Sequence, residues 1–462
     1  MSAPQELVDA ALAASVADGC VVVLEEHSAA NLRWAASAMT TNGWTSARTM
    51  TAIAFRERAA GTGIGLVTRS VQTAAEAAAL ARAADAASRA SAPTEDVSPL
   101  VAPYLCDDDW GAEVPRTGPD ALAPVVPGLA ALVDRWHAED WLAFGYLEQQ
   151  RTTTLLATST GLRRRFDQAD GRFELTGKST DMQRSAWYGA HVPDATAVDV
   201  GAAGAELERG LRTAAREVAL PPGRYETLLP PAAVADLMVF AYQRIAARDA
   251  HDGRTVFARP GGGDRIGERL AALPLTLASD PGAPGLECLP FDVVTAGESA
   301  LGSAFDNGQP VAPATWIDRG TLTDLVRTRA WARATGAAPR PPAGNLLLSA
   351  DGATASLADM VASTQRGLLV TSLWYVRQVE PRTLLLTGLT RDGVYLVEDG
   401  RITAAVNNFR FNESPIDLLA RATEAGRTER TLPRERGDAF RRTAMPALRI
   451  PDFHMSTVSA AR

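Results

Sequence analysis

The sequence predicts an α+β / α/β protein of two domains: an N-terminal mixed α/β domain over 1-222, and a C-terminal β-rich domain, barrel-like or built on a curled sheet, over 223-462. Three observations carry this prediction. Through the first half, β-type apolar runs alternate with amphipathic helical stretches. Through the second half, strand signals dominate and Gly-containing turns join them. Between the two, "ALPPGRYE" (Ala219 to Glu226) sets a Pro-Gly stop before a new strand.

Apolar residues Leu7, Val8, Ala11, Leu12 and Val16 share one helical face, so the first element is an amphipathic helix. The period then shortens in "CVVVLEEHSAANLRWA", "ARTMTAIAFRER" and "GIGLVTRS", three short β-type runs, with Gly61 relieving a strand turn. "TAAEAAALARAADAASRA" follows as a helix across the sheet, and Thr73 and Glu76 have capping-box spacing. Seven prolines and the acidic "CDDDW" make 91-127 a long ordered loop. The helix "LAALVDRWHAED" precedes strands "WLAFGYLEQQ" and "RTTTLLAT". "RRRFDQADGRFEL" reads as a hairpin centred on Asp170-Gly171, and the helix "AAGAELERGLRTAAREV" closes the block.

In the second half, "ADLMVFAYQRIAARDAHDGRTVF" reads as a helix running into a charged turn and a strand. "ARPGGGDRIGER" reads as a mobile loop, since it fits no phosphate-binding pattern. Hairpins are expected around Asp318-Arg319-Gly320 and at Asp399-Gly400. "GLLVTSLWYV" and "RTLLLTGLT" add buried strands, and "SPIDLLARATEAG" adds a helix. No period of 20–50 residues repeats, which excludes a solenoid or propeller.

With 462 residues the chain is long enough for more than one core. A formal charge of −8 argues against a phosphate-backbone binder, so no nucleic acid is expected as partner. Cys20, Cys106 and Cys288 lie far apart and form no CxxC, the usage of a reducing cytosol. The N-terminus has no basic n-region and no apolar run is long enough to span a bilayer. A cytoplasmic chain with no membrane partner is the expectation.

The scan for chemistry returns no strong motif. His27, His137, His191, His251 and His454 form neither HExxH nor HxH, and no GxSxG occurs. His251 sits between Asp249 and Asp252, where an imidazole flanked by carboxylates could serve as a base of raised pKa; a hydrated turn is the plainer reading. Trp374, Tyr375 and Arg377 in "LWYVRQ" read equally as a recognition surface or as core strand.

Several segments, in order along nearly the whole chain, carry a resemblance. They are "TTNGWTSART", "YETLLPPAAVADLMVFAYQRIAARDAHDGRTVF", "DNGQPVAPATWIDRGTLTDLV", "GNLLLSADG", "RTLLLTGLTRDGVYLVEDGRITAAVNNFRFNESP" and "PALRIPDFHMSTVS". Together they resemble the TldD/PmbA family, a metallopeptidase family once described as modulators of DNA gyrase, and within it the TldE (PmbA) branch. The resemblance implies a pair of subunits, of which the TldD type carries an HExxxH helix. There two His and a C-terminal Cys hold zinc, and the Glu is general base. The zinc lowers the pKa of bound water and polarises the peptide carbonyl.

Anchored on "GRTVF", the two His positions fall at Met238 and Gln243 and the Glu at Val239. A neutral thioether, an alkyl group and an amide cannot replace two imidazoles and a carboxylate. Val234, Leu237, Met238, Ala241 and Ile245, widened by Val239 and Phe240, form an apolar stripe that calls for burial instead. The chain is therefore expected to hold no metal, no cofactor and no catalytic residue. It would serve a TldD-type zinc partner as cavity wall, peptide-holding surface and assembly surface. Exposed-type residues Arg391, Asp392, Asn407, Asn408 and Arg410, with Trp374 and Tyr375, are the expected partner or peptide contacts; the same polar residues could equally satisfy turn hydrogen bonds. Two other readings stand beside this one: a homodimeric peptide-binding or chaperone-like protein, and an independent hydrolase using His251 or His454 with carboxylates.

Overall fold

The computed structural model describes residues 2–297 and 299–460. Helix α1 (Pro4–Ala14) leads into three strands, β1 (Gly19–Ala35), β2 (Ala38–Arg56) and β3 (Gly63–Ser70). Helix α2 (Ala74–Ala90) follows, capped reciprocally by Thr73 and Glu76 as their spacing predicts. Residues 91–125 are largely irregular, ending in a 3-10 turn at Pro119–Val125 before helix α3 (Val126–His137). Strands β4 (Trp141–Thr158), β5 (Arg163–Ser179) and β6 (Ser185–His191) and helix α4 (Val200–Thr213) complete the first half. Among the described residues these strands make one six-stranded antiparallel sheet, in the order β3-β2-β1-β4-β5-β6. The two α/β blocks of the sequence thus share a single sheet.

Strict alternation along β1 decides what covers each face. On one face, Val22 and Leu24 pack with Met50 and Ala52 under α1 and α2, while Leu32 and Trp34 pack with Leu147 and Phe173 under α3 and α4. On the other face, Val21, Val23, Ile53, Phe55 and Leu156 meet Phe291 and Phe305 from the second half. Farther along that second face the contacts turn polar. Arg441 reaches Glu148 at 2.8 Å, Arg442 reaches Asp170 at 2.6 Å, and Arg172 pairs with Asp438.

Four local expectations need correction. The hairpin at Asp170-Gly171 does not form, because both residues lie inside β5 opposite Gln150 and Gln149. Asp170 is buried to bind Arg442 and His191, and Gly171 admits the Glu148 and Val192 carbonyls, which a Cβ would meet at 2.4 and 2.5 Å. The real turn is at 159–162. "WLAFGYLEQQ" and "RTTTLLAT" are one strand, β4. Val16 lies beyond the end of α1 and is exposed. The "GRTVF" segment is a turn rather than a strand.

A short strand β7 (Glu217–Val218) leads to β8 (Gly223–Leu229), the central helix α5 (Pro231–Tyr242) and the short helix α6 (Ala247–His251). Then come β9 (Leu275–Ser279), β10 (Ala314–Asp318), β11 (Thr321–Leu322), α7 (Arg329–Thr335), β12 (Asn345–Ala350) and α8 (Leu357–Ala362). The long strands β13 (Arg366–Glu380) and β14 (Leu385–Glu398) follow, with β15 (Arg401–Val406), β16 (Phe409–Glu413) and α9 (Pro415–Arg421). The chain finishes with β17 (Glu424–Ala425), β18 (Glu429–Thr431), β19 (Arg442–Met445) and β20 (Leu448–Val458). The β10–β11 and β14–β15 hairpins turn where the sequence places them. Arg319 and Gly320 (φ 43° and 94°) and Asp399 and Gly400 (φ 48° and 75°) supply the left-handed pairs that such turns require. The expected loop at "ARPGGGDRIGER" is a left-handed glycine turn at 261–263.

Strands β13, β8, β20, β16 and β14 pair in that order, and β13 pairs with β14 to close a five-stranded barrel; β15 and β7 extend from β14. The β-rich barrel expected from the sequence is present. A second sheet, β11-β10-β9-β12-β19-β18, lies beside it, and α5 fills the space between the two.

Strand β3 approaches α2 so closely that a Cβ on Gly65 would meet the Ala84 carbonyl oxygen at 2.0 Å and the Ser88 nitrogen at 2.3 Å. Gly65→Ala must push the helix off the sheet, so we expect a loss of about 1–3 kcal/mol in urea denaturation; an unchanged midpoint would contradict this packing. The seam between the halves carries a second testable feature. Burial, with Asp306 nearby, pushes the Asp292 carboxyl up to about 8, only partly offset by the Val293 N–H. The folded chain thus keeps a proton that the unfolded chain releases near pH 4, so this contribution to stability is lost as pH rises from about 4 through 8. Urea midpoints of Asp292→Asn should fall less steeply over that window than those of the parent protein; parallel profiles would refute the assignment.

Candidate functional site

Helix α5 is buried from Ala233 to Tyr242 without a break. Met238 and Val239 are 1% and 0% exposed, packed in the apolar core, and Gln243 caps the helix end. No face of this helix offers nitrogen, thiolate or carboxylate donors at the positions where a zinc site would be expected. Among the described residues no group of three or more His, Cys, Asp or Glu side chains is placed to hold a metal ion. The residues present do not fit zinc, and no chemical step is routed through a metal in this chain.

One ionisable side chain interrupts that apolar helix. Asp236 is completely buried, and its carboxylate accepts N–H bonds from Arg434 (3.2 Å), Glu435 (2.9 Å) and Arg436 (3.0 Å). Burial pushes its pKa up to about 8 while the three N–H donors pull the other way. Asp236 therefore pins the 434–436 segment, and that segment organises the adjoining barrel wall. The Glu435 carboxylate accepts from the Tyr375 and Val376 N–H groups and from Arg377 at 3.0, 3.1 and 2.9 Å. Arg436 stacks on Phe240, 3.5 Å from the ring centre. Arg434 ion-pairs with Asp392, donates to Ser372 at 3.2 Å, and stacks on Trp374 and Trp187.

Asp392 and Gly393 take positive φ (51° and 129°), a bulge that turns the Asp392 carboxylate inward. Asp392 is therefore buried, not exposed as its sequence context suggests. It forms part of a cavity of about 300 Å³ between the barrel and the first sheet. The walls come from β14 (Asp392, Tyr395), the loop after β15 (Asn407, Asn408), the entry to β6 (Arg184) and Glu217. Asn407 accepts the Leu220 N–H at 2.7 Å, and Asn408 accepts from Thr390 at 3.1 Å. Burial, with Asp392 and Glu206 nearby, holds the Tyr395 hydroxyl well above its usual range, so it stays a donor. The cavity presents carboxylates, a guanidinium, amides and a phenol but no nucleophile paired with a base. It can hold a polar backbone by hydrogen bonds, and nothing in it is arranged to break one.

The structure brings Asp392, Asn407 and Asn408 together at this cavity. Arg391 and Trp374 stand one layer behind, with the Arg391 guanidinium 5.4 Å from the Trp374 ring and 3.5 Å from Asp392. Tyr375, at a left-handed bulge (φ 51°), is 53% exposed and stacks under Arg377. Arg410, on β16, donates to Thr387 on β14 at 3.3 Å and does not line the cavity. The alternative sites at His251 and His454 are not assembled. Asp249 and Asp252 bind Arg254 while the His251 ring leans on Trp331, and Glu413, beside the His454 backbone, binds Arg421. Sequence reading missed Asp236, although a single carboxyl inside "AAVADLMVFAY" marks a buried polar group that requires hydrogen-bond partners.

The sequence profile of the PmbA/TldA metallopeptidase C-terminal domain matches residues 222–457, just over half of the chain. No curated protein sequence matches. Among solved structures the fold is similar to TldE from Thermococcus kodakarensis (TM-score 0.78, 16% identity, covering 98% of this chain and 99% of that one). It is also similar to a candidate modulator of a DNA gyrase from Thermotoga maritima (TM-score 0.75, 14% identity, 97% and 99%). A candidate modulator of DNA gyrase from Bacteroides thetaiotaomicron gives TM-score 0.75 at 14% identity, with 98% of each chain covered. At these identities the likeness is one of fold.

Removing the Asp236 carboxylate leaves three buried N–H groups without their acceptor. Asp236→Ala should cost about 3 kcal/mol in urea denaturation and release amide exchange at 434–436. Retained exchange protection there would show that the segment is held by something else.

Proposed function

Because the chain belongs to the PmbA/TldD family, we propose that it is the metal-free, TldE-type subunit of a heterodimeric zinc peptidase, acting in the cytoplasm on unfolded or short peptides. The observation that carries this reading is α5. Where the family's zinc helix would present two imidazoles and a carboxylate, this helix and its C-cap present Met238, Gln243 and Val239, and its one carboxyl side chain, Asp236, is engaged by backbone N–H groups.

On this reading the zinc and the general base belong to a TldD-type partner, and this chain contributes holding and wall. The cavity at Asp392, Asn407 and Asn408 supports a role in gripping peptide backbone, since amides bind a main chain with little regard to its side chains. Its polar lining, without a nucleophile paired to a base, supports a subunit that positions a substrate cleaved elsewhere. A role in maturing the leader peptides of natural products is a specialisation of the same chemistry.

Co-expression with a TldD-type protein, followed by native mass spectrometry and metal analysis, tests the reading. The expected result is no stoichiometric zinc and no cleavage by the isolated chain, with a one-to-one complex that cleaves peptides in a zinc-dependent way. Asn407→Ala with Asn408→Ala should then raise KM by about ten-fold while leaving zinc content unchanged. One tightly held zinc in the isolated chain would overturn the assignment. A self-sufficient homodimer that binds peptides and recruits no zinc subunit would favour the chaperone-like alternative.

A further inference from the structure

Three guanidinium groups gather where the C-terminal end of α5 meets β13: Arg244 just beyond the helix, Arg377 on β13, and Arg436 in the segment that Asp236 pins. Two contacts tie them into one cluster. Gln378, next to Arg377, accepts from the Arg244 Nε at 2.6 Å, and Glu435, next to Arg436, accepts from Arg377 at 2.9 Å. Burial, with Arg377 and Arg244 nearby, pushes the Arg436 pKa down against the pull of Glu435 and Asp236.

The acids beside this cluster are already engaged. Glu435 also accepts the Tyr375 and Val376 N–H groups, and Asp236 accepts three backbone N–H groups. Among the described residues Arg244 and Arg436 form no ion pair, and the Arg436 side chain makes no hydrogen bond. The Arg436 Nε is buried without a partner. Buried donors are rarely left unmet, least of all beside two further positive charges.

Each guanidinium is nevertheless held in place, by contacts that leave donors over. Arg436 lies 3.5 Å from the centre of the Phe240 ring, Arg377 lies 4.2 Å from that of Tyr375, and Gln378 fixes Arg244. The backbone and Glu435 contacts of Arg244 and Arg377 use only Nη1. Among the described residues their Nη2 groups, and both Nη groups of Arg436, remain available. Arg377 is exposed and the other two are half-buried, so solvent reaches the cluster. Planar forks of N–H donors, fixed in advance, match the two oxygens of a carboxylate.

We propose that Arg244, Arg377 and Arg436 form a binding site for the carboxylate of a peptide. A chain of formal charge −8 repels polyanions, whereas one carboxylate meets the local excess of positive charge and supplies two acceptors. The proposal rests on the reading of this chain as one that handles peptides. It is separate from the cavity at Asp392, whose walls include none of the three arginines.

The test uses the full chain and a short fluorescent Gly-Ser-Ala peptide with its C-terminus free, amidated, or amidated with one Glu placed within it. In fluorescence anisotropy the free acid should bind about ten-fold tighter than the plain amide. Acetate should compete with the acid and not with the amide, a measurement on the parent protein that stands whether or not a variant folds. Arg244→Gln with Arg436→Gln should erase the preference without lowering the urea midpoint, because it relieves repulsion between like charges. A Glu-bearing amide that binds like the acid assigns the site to acidic side chains, and one that binds like the plain amide assigns it to the C-terminus. Equal binding of acid and amide by the parent, or a preference that survives both substitutions, overturns the carboxylate site while the peptide-handling reading stands. Competition by phosphate with none by acetate overturns it in favour of an inorganic anion. A chain that binds none of the peptides overturns both the site and the reading.

Discussion

The second half of this molecule is organised around the burial of one helix. Helix α5 is apolar around its whole girth, so it is stable only where protein surrounds it, and the barrel and the second sheet supply those surroundings. The exception, Asp236, is tolerated because three N–H groups from 434–436 meet its carboxylate. That local electrostatic requirement brings a distant stretch of chain back across the barrel wall. The consequence is a chain of fixed neighbours from the helix through Glu435 and Arg434 to Trp374, Asp392 and the cavity. The one carboxyl side chain of the helix is thus used to hold a remote segment of this same chain in place.

Much of the fold was legible in the sequence, and the reasons are physical. Hairpins at Arg319-Gly320 and Asp399-Gly400 were visible because two adjacent left-handed residues demand a narrow choice of side chains. The capping box at Thr73 and Glu76 was visible because its chemistry is local. Asp170-Gly171 carried the same turn signal and misled, since both residues answer to distant partners: Arg442 and His191 for the acid, two carbonyls for the glycine. Local patterns decide local structure only where no tertiary contact competes.

The candidate site divides along the same line. Asn407, Asn408 and Asp392 could be picked out as polar residues in apolar, β-rich sequence, and they do meet at one cavity. That Asp392 is buried depends on a left-handed bulge and on Arg434, some forty residues later, neither of which leaves a periodic trace. Tyr375 and Arg410 have the same sequence character but project elsewhere, because bulges in β13 and the register of β16 change which way neighbouring side chains face.

The ionic contacts along the first sheet also bear on motion. Glu148, Asp170 and Arg172 sit on adjacent strands β4 and β5, and each grips a different residue of the 438–442 segment. Phe291 and Phe305 add an apolar contact at the far end of the same face. Fastened at both ends, the two halves have no free axis about which to swing apart. Parting them would mean breaking three ion pairs and an aromatic contact in one event, so this face behaves as a single stiff wall rather than as a hinge.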